Sequence, residues 1–222
     1  RQFASELAMQ GLTIASGMAI GIDAIAHIST LEVNGKTIAV LGNGLNHIFP
    51  KENKELYYKI IEQDGLVITE YEPSKQAKSE NFLERNRIVS GISLGVLVVE
   101  AAHRSGTSVT AKLAKEQGRK VFVLPHEISD IHGVGTNRLI KNGAILITKT
   151  KEIIEQFKFL SYRELPRKSR KTKELLLEEK KQEILRKLKK EYQEIYKIIA
   201  KKTSDINEIC LKTKKPISQI NN

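Results

Sequence analysis

The chain has 222 residues, 40% of them hydrophobic, and a formal charge of +11, which is enough chain to bury one good core and carry a smaller module. It holds no apolar run near the roughly 20 residues of a membrane span and no charged-then-apolar leader. Its single cysteine, Cys210, excludes an internal disulfide and a paired-cysteine metal site, packs as a small apolar residue, and fits a reducing, cytoplasmic compartment.

In chain order, the first residues have helical spacing and lead from Arg1, with no initiator Met, into the run LTIAS. That opening points to a strand, and a further domain, ahead of this segment. Short apolar runs predict strands at 12–15, 37–41, 66–69, 96–99, 121–124 and 144–147, and segments of helical spacing between them predict helices at 22–33, 51–63, 87–93, 109–117 and 137–141. The alternation is that of an α/β protein with a parallel sheet. Continuous β-branched runs such as VLVVE and KVFVLP suit strands covered on both faces. The charge is uneven: residues 1–150 carry net +2 and residues 151–222 net +9. The tail therefore either attracts phosphate polymers or forms a solvated Lys/Glu-rich helix.

Ligands of open parallel sheets bind beyond the carboxyl ends of the strands. Three glycine-bearing loops fall there: Ser16-Gly17-Met18-Ala19-Ile20-Gly21-Ile22-Asp23, Gly42-Asn43-Gly44, and Ser105-Gly106-Thr107-Ser108. Free N–H groups at helix starts, with Ser and Thr hydroxyls, suit an anion, and phosphate leads. A plain turn is the competing reading of each loop, and neither SGMAIGID nor SGTSVTA is a dinucleotide fingerprint or a P-loop. The segment FLERNRIVSG sets Arg85, Asn86 and Arg87 before an apolar strand. A guanidinium is costly to bury unpaired, so each arginine meets a carboxylate, solvent or an anionic ligand. A connection running back over the sheet would bring both to the rim of the glycine loops, facing a ligand.

Asp23 and His27, at i and i+4, could supply two metal ligands, but a third is not evident and a local hydrogen-bonded pair is favoured. Glu100 and His103 follow a strand end and could do acid/base work, or pair with an arginine. His47, His126 and His132 have no metal-ligand spacing. No serine has an assigned base, so Ser16, Ser105 and Ser108 are read as caps or phosphate contacts.

Five motifs in this order, SGMAIGIDAIAH, TIAVLGNGLNHIFPKEN, FLERNRIVSGIS, VVEAAHRSGTSVTAKLAKEQGRKVFVLP and GTNRLIKNGA, resemble the Rossmann-like domain of the DNA processing protein A (DprA/Smf) family over about residues 3–157. The resemblance implies a doubly wound, mostly parallel sheet and a bacterial cytoplasmic protein with no cofactor. It implies binding of single-stranded DNA, a homodimer, and loading of the RecA recombinase onto incoming strands during natural transformation, without enzymatic activity. Carried over motif by motif, the DNA pocket would draw on Lys51, Phe82, Arg85, Asn86 and Arg87, shaped by Ser16 and Gly17 and by Gly106, Thr107 and Ser108. Arg forks suit phosphate oxygens and a ring suits an unstacked base. Three departures bear on this: the family's GSR arginine has no counterpart in the sequence; FPxRNR reads FLERNR, with Glu84 and without the proline; and Pro-Gly reads Pro125-His126. With 5% aromatic residues and no Trp, affinity should rest on phosphates and fall with salt, with slight sequence preference.

The expected organisation is a Rossmann-like DNA-binding domain at 1–157, a basic linker at 158–173, and a helical segment at 174–222 resembling a truncated winged helix. Its apolar positions include Leu177, Ile184, Leu188, Ile195 and Ile198. The rivals are a nucleotide-monophosphate-cleaving Rossmann-like enzyme, whose PGGxGTxxE motif is absent, and a repressor reading a duplex site with the tail helices.

Overall fold

The computed structural model describes residues 1–164, apart from 103–105 and 132, together with Gln193. The chain divides into two units, Arg1–Leu165 and Pro166–Asn222, and the elements below belong to the first. Cys210, His103, Ser105, His132, most of the expected linker and, apart from Gln193, the helical tail lie outside the described residues.

Helix α1 (Gln2–Met9) leads to β1 (Ile14–Ser16), α2 (Ile22–Leu31) and β2 (Thr37–Val40). A 3-10 turn at Lys51–Asn53 runs into α3 (Lys54–Glu62), followed by β3 (Leu66–Ile68), α4 (Ser79–Gly91), β4 (Gly95–Val98) and α5 (Gly106–Glu116). Then come β5 (Lys120–Val123), α6 (Val134–Lys141), β6 (Ile145–Leu146) and α7 (Thr150–Ile154). Each apolar run expected to be a strand forms one. They pair in parallel as two three-stranded sheets, β1-β2-β3 and β4-β5-β6, with Ala15 beside Ile38, Ala39 beside Val67, and Val98 beside Val123. The architecture is α/β, as the alternation requires.

Side-chain alternation explains how the second sheet is covered on both faces. Val98, Val121 and Val123 pack with Ala111 and Ala114 of α5, whereas Leu97 and Phe122 between them meet Leu7 of α1 and Ile153 and Ile154 of α7. Phe122 is 1% exposed, a burial worth about 1.5–3 kcal/mol. The same cluster takes in Leu12 and Ile14, so apolar packing joins the strands of both sheets where no ladder does. On the first sheet, Ala39 and Leu41 bury against Leu31 of α2 and Leu56 and Ile60 of α3.

The largest departure from expectation is α4. Helical spacing predicts a helix from Arg87, but α4 starts eight residues earlier, at Ser79, so FLERNR is helical and not part of a connection. Its buried residues are Asn81, Arg85 and Ser90. A helix that buries polar groups lacks the apolar 3.6-residue rhythm by which helices are recognised. The unpredicted α7 is five residues long, too short for a periodic signal; the Glu152 carboxylate accepts the Thr148 and Lys149 amides at its start.

Candidate nucleic-acid interface

The loop after β1 closes on a carboxylate of its own. Asp23, in the first turn of α2, accepts a hydrogen bond from Ser16 Oγ at 2.6 Å and from the Gly17 and Ala19 amides at 3.1 Å each. Loop amides and a helix start favour an anion, and here the anion on Ser16 and Gly17 is internal. Asp23 and His27 are therefore neither a metal pair nor bonded to each other. His27 Nδ1 lies 2.6 Å from Thr37 Oγ1, which donates to the Ile14 carbonyl, so the imidazole carries its proton on Nδ1 and leaves Nε2 buried without a partner. Burial lowers the His27 pKa to about 4, against the pull of Asp23 and aided by Arg85. Among the described residues, no group of three or more His, Cys, Asp or Glu could hold a metal.

Helix α4 separates the two arginines. Residues i and i+2 of a helix point to nearly opposite sides, so Arg85 turns in and Arg87 out. Arg85 is 4% exposed; its Nη1 donates to the Gly17 carbonyl at 2.8 Å and to the Val40 carbonyl, and its Nε to Asn86 Oδ1 at 3.2 Å. The guanidinium thus ties the carboxyl end of β2 to the loop after β1. Burial pulls its pKa below the usual arginine range, while the Asp23 carboxylate and Tyr71 push it back up. Gly17 makes room for it: a Cβ there would stand 2.5 Å from Arg85 Nη2 and 2.9 Å from Asp23 Oδ2. Arg87 lies on the surface, ion-paired with Glu70. Of the three fates open to a guanidinium, Arg85 has found backbone carbonyls and Arg87 a carboxylate.

At the end of β2, Phe82 of α4 packs against Gly42, where a Cβ would lie 2.6 Å from the ring's Cδ1. Asn81 Nδ2 donates to the Gly42 carbonyl at 2.9 Å, so adjacent residues of α4 hold both the backbone and the ring. Phe49 stacks on Phe82 with centroids 5.5 Å apart and planes at 28°, and the Arg85 guanidinium carbon lies 5.8 Å from the Phe82 centroid. Lys51 is exposed two residues beyond Phe49. Asn53 Nδ2 donates to the Met18 carbonyl at 2.8 Å, which ties the Lys51 turn to the loop after β1.

The third loop enters through α5, whose first turn holds Gly106, Thr107 and Ser108. A Cβ on Gly106 would lie 3.7 Å from Leu83 Cδ2 of α4, so this helix start lies beside the FLERNR turn. The departures from the family pattern have partners. Glu84 accepts from the Tyr71 hydroxyl at 3.1 Å; burial and then Glu84 raise the Tyr71 pKa to about 12. His126 meets Asp130 Oδ2 through Nδ1 at 2.9 Å and the Val99 carbonyl through Nε2 at 2.8 Å. Glu100 is exposed after β4. Sequence reasoning missed Asp23 as a loop partner, Glu70, and Phe49. The first has a signal in retrospect, a carboxylate in the opening turn of a helix just past a glycine loop; a pairing across distant elements, as between Phe49 and Phe82, leaves none.

Glycine loops, an aromatic pair and cations gather at the carboxyl ends of β1 and β2 in a parallel α/β layer, the position at which α/β proteins hold ligands. The profile described as DNA recombination-mediator protein A matches residues 1–158, and the chain belongs to that family. It is 51% identical over 159 residues to Protein Smf of Escherichia coli, covering 72% of this chain and 42% of that protein. It is 45% identical over 148 residues to DNA processing protein DprA of Streptococcus pneumoniae, covering 67% of this chain and 52% of that protein. The chain thus spans about half or less of the length of these relatives. Among solved structures, DprA of Streptococcus pneumoniae superposes with a TM-score of 0.63 at 42% identity over 72% of this chain and 58% of that one. DNA processing protein A of Helicobacter pylori, which has a single-stranded DNA binding mode, superposes with 0.64 at 34% identity over 70% of each chain.

Proposed function

We propose that this chain is the DNA-holding part of a single-stranded DNA-binding recombination mediator, one that protects incoming strands and loads a RecA recombinase onto them during natural transformation. It works as a cytoplasmic homodimer and catalyses no reaction. The aromatic pair Phe49–Phe82, set beside exposed Lys51 at the end of β2, carries the reading: ring faces for unstacked bases next to a cation for the backbone are what an unpaired polynucleotide requires and a duplex does not. Family membership and the Helicobacter pylori relative support it. Among the described residues no helix is long and apolar enough to cross a membrane. In this assignment Lys51 and Arg87 hold phosphates, the first-turn amides of α5 at Gly106, Thr107 and Ser108 add an anion site, and Arg85 with Asn86 fixes the loop that bears Ser16 and Gly17.

Fluorescence polarisation of a labelled oligothymidine at several salt concentrations tests the assignment. Lys51→Gln and Arg87→Gln should each weaken binding and lower the salt slope by about one. Duplex DNA competing as well as the single strand, or slopes unchanged in both variants, would overturn it. Release of a base from a nucleotide monophosphate, abolished by replacing Glu100, would establish the enzyme instead.

A further inference from the structure

Phe82 is the aromatic residue that family likeness assigns to the interface, and its ring is half-buried and packed on two sides. Gly42 presses on it so closely that a Cβ would lie 2.6 Å from Cδ1 and 2.9 Å from Cε1. Phe49 covers it from another side, and the Arg85 guanidinium stands 5.8 Å from its centroid. Phe49 is more open: it is 46% exposed, with one side of its ring turned to Phe82. Isolated apolar side chains on a surface are ordinary. This one is stacked on a second ring at the carboxyl end of β2 and is held in place from both flanks. Upstream, Asn43 Nδ2 donates to the His47 carbonyl at 2.6 Å; downstream, Asn53 ties the turn to Met18. A ring fixed this way gives up little conformational freedom when a flat ligand lands on it.

Resting on the single-stranded DNA reading above, we propose that Phe49 is the base-stacking residue of the site: its outer face receives an unpaired nucleobase, Phe82 beneath sets the tilt of the ring, and neighbouring Lys51 takes the adjoining phosphate. Every base has a π face, so this contact is blind to sequence.

The test uses the full chain and two labelled oligonucleotides of equal length, oligothymidine and an abasic strand that keeps the phosphates. Wild type should bind oligothymidine on the order of tenfold more tightly than the abasic strand. Phe49→Leu keeps an apolar cover over Phe82 without a π face. It should reduce that preference to about twofold or less, leaving abasic-strand affinity and the salt slope as they were. Phe49→Trp introduces a fluorophore into a chain that has no tryptophan; its emission should be quenched by oligothymidine and not by the abasic strand, and this arm decides the matter if the leucine variant fails to fold. A preference kept in full by Phe49→Leu, or tryptophan emission unmoved by bound oligothymidine, overturns the role of Phe49 alone. A wild type that binds neither strand overturns the single-stranded DNA reading and this proposal with it.

Discussion

Exchanging the two arginines of FLERNR for methionine, one at a time, should separate stability from binding. Arg85→Met keeps most of the side-chain volume and deletes the donors. The guanidinium is 4% exposed and its Nη1 serves the Gly17 and Val40 carbonyls. Each buried acceptor left without a donor costs about 1–3 kcal/mol, so a loss of about 3 kcal/mol is expected. For a unit of this size that lowers the melting temperature by about 6–12 °C, at roughly 2–4 °C per kcal/mol. Arg87→Met removes a partner from an ion pair whose arginine side chain is 53% exposed, and exposed pairs contribute about 0–1 kcal/mol. Its melting temperature should stay within about 3 °C of wild type while its oligothymidine affinity falls. Thermal melts followed by circular dichroism, alongside polarisation titrations, read both quantities. An Arg85→Met protein as stable as wild type but unable to bind DNA would refute the reasoning, because it would mean that the guanidinium faces the ligand and not the carbonyls.

Gly42→Ala should destabilise the unit by about 1–3 kcal/mol, the usual cost of an atom forced into filled space, because the new Cβ would stand 2.6 Å from Phe82; the melting temperature checks it, and an unchanged value would mean that the ring is free to move. Two histidines should tilt the pH dependence of stability in opposite senses. The His27 pKa is lowered by burial to about 4 from 6.5, so its neutral form contributes stability that is full above the unfolded pKa and is lost as pH falls from 6.5 toward 4, by about 3 kcal/mol. The His126 pKa is raised, by the Val99 carbonyl, then the Asp130 carboxylate, with Glu100 adding to it, so its contribution is full below 6.5 and is lost as pH rises through the folded value. Denaturant melts across pH should lose the acid-side slope in His27→Gln and the near-neutral decline in His126→Gln.

How far the sequence could be read follows from what each element buries. The six strands were legible because β5 presents Val121, Phe122 and Val123 as an unbroken apolar run, with α5 on one face and α1 and α7 on the other. The glycine loops were legible from the same boundaries. Helix α4 was legible only in its second half, since its inward residues are Asn81 and Arg85, whose burial depends on distant carbonyls, 39 residues away for Asn81 and 68 and 45 for Arg85. Reading FLERNR as a connection put both arginines on one side; as a helix it separates them. Motif likeness found Phe82 but not its cover, because Phe49 belongs to a segment whose local pattern says only that the chain turns.

Asp23 already occupies the anion position of the loop after β1. It takes up Ser16 Oγ and the Gly17 and Ala19 amides, so a phosphate entering that loop must displace a carboxylate already bonded three times and placed near a helix start, where negative charge is favoured. Arg85 is committed as firmly, since leaving its carbonyls would strand the buried Val40 acceptor and the half-buried Gly17 acceptor, at about 1–3 kcal/mol for a buried one. Arg87 is held by one surface carboxylate, an interaction of about 0–1 kcal/mol that salt weakens further. A phosphate can outbid Glu70 at a cost far smaller than a charge-assisted hydrogen bond returns. In the proposed assignment the glycine loop and Arg85 therefore form the floor of the site, and the outward groups, Lys51, Arg87 and the Phe49 ring, are the ones that engage the strand.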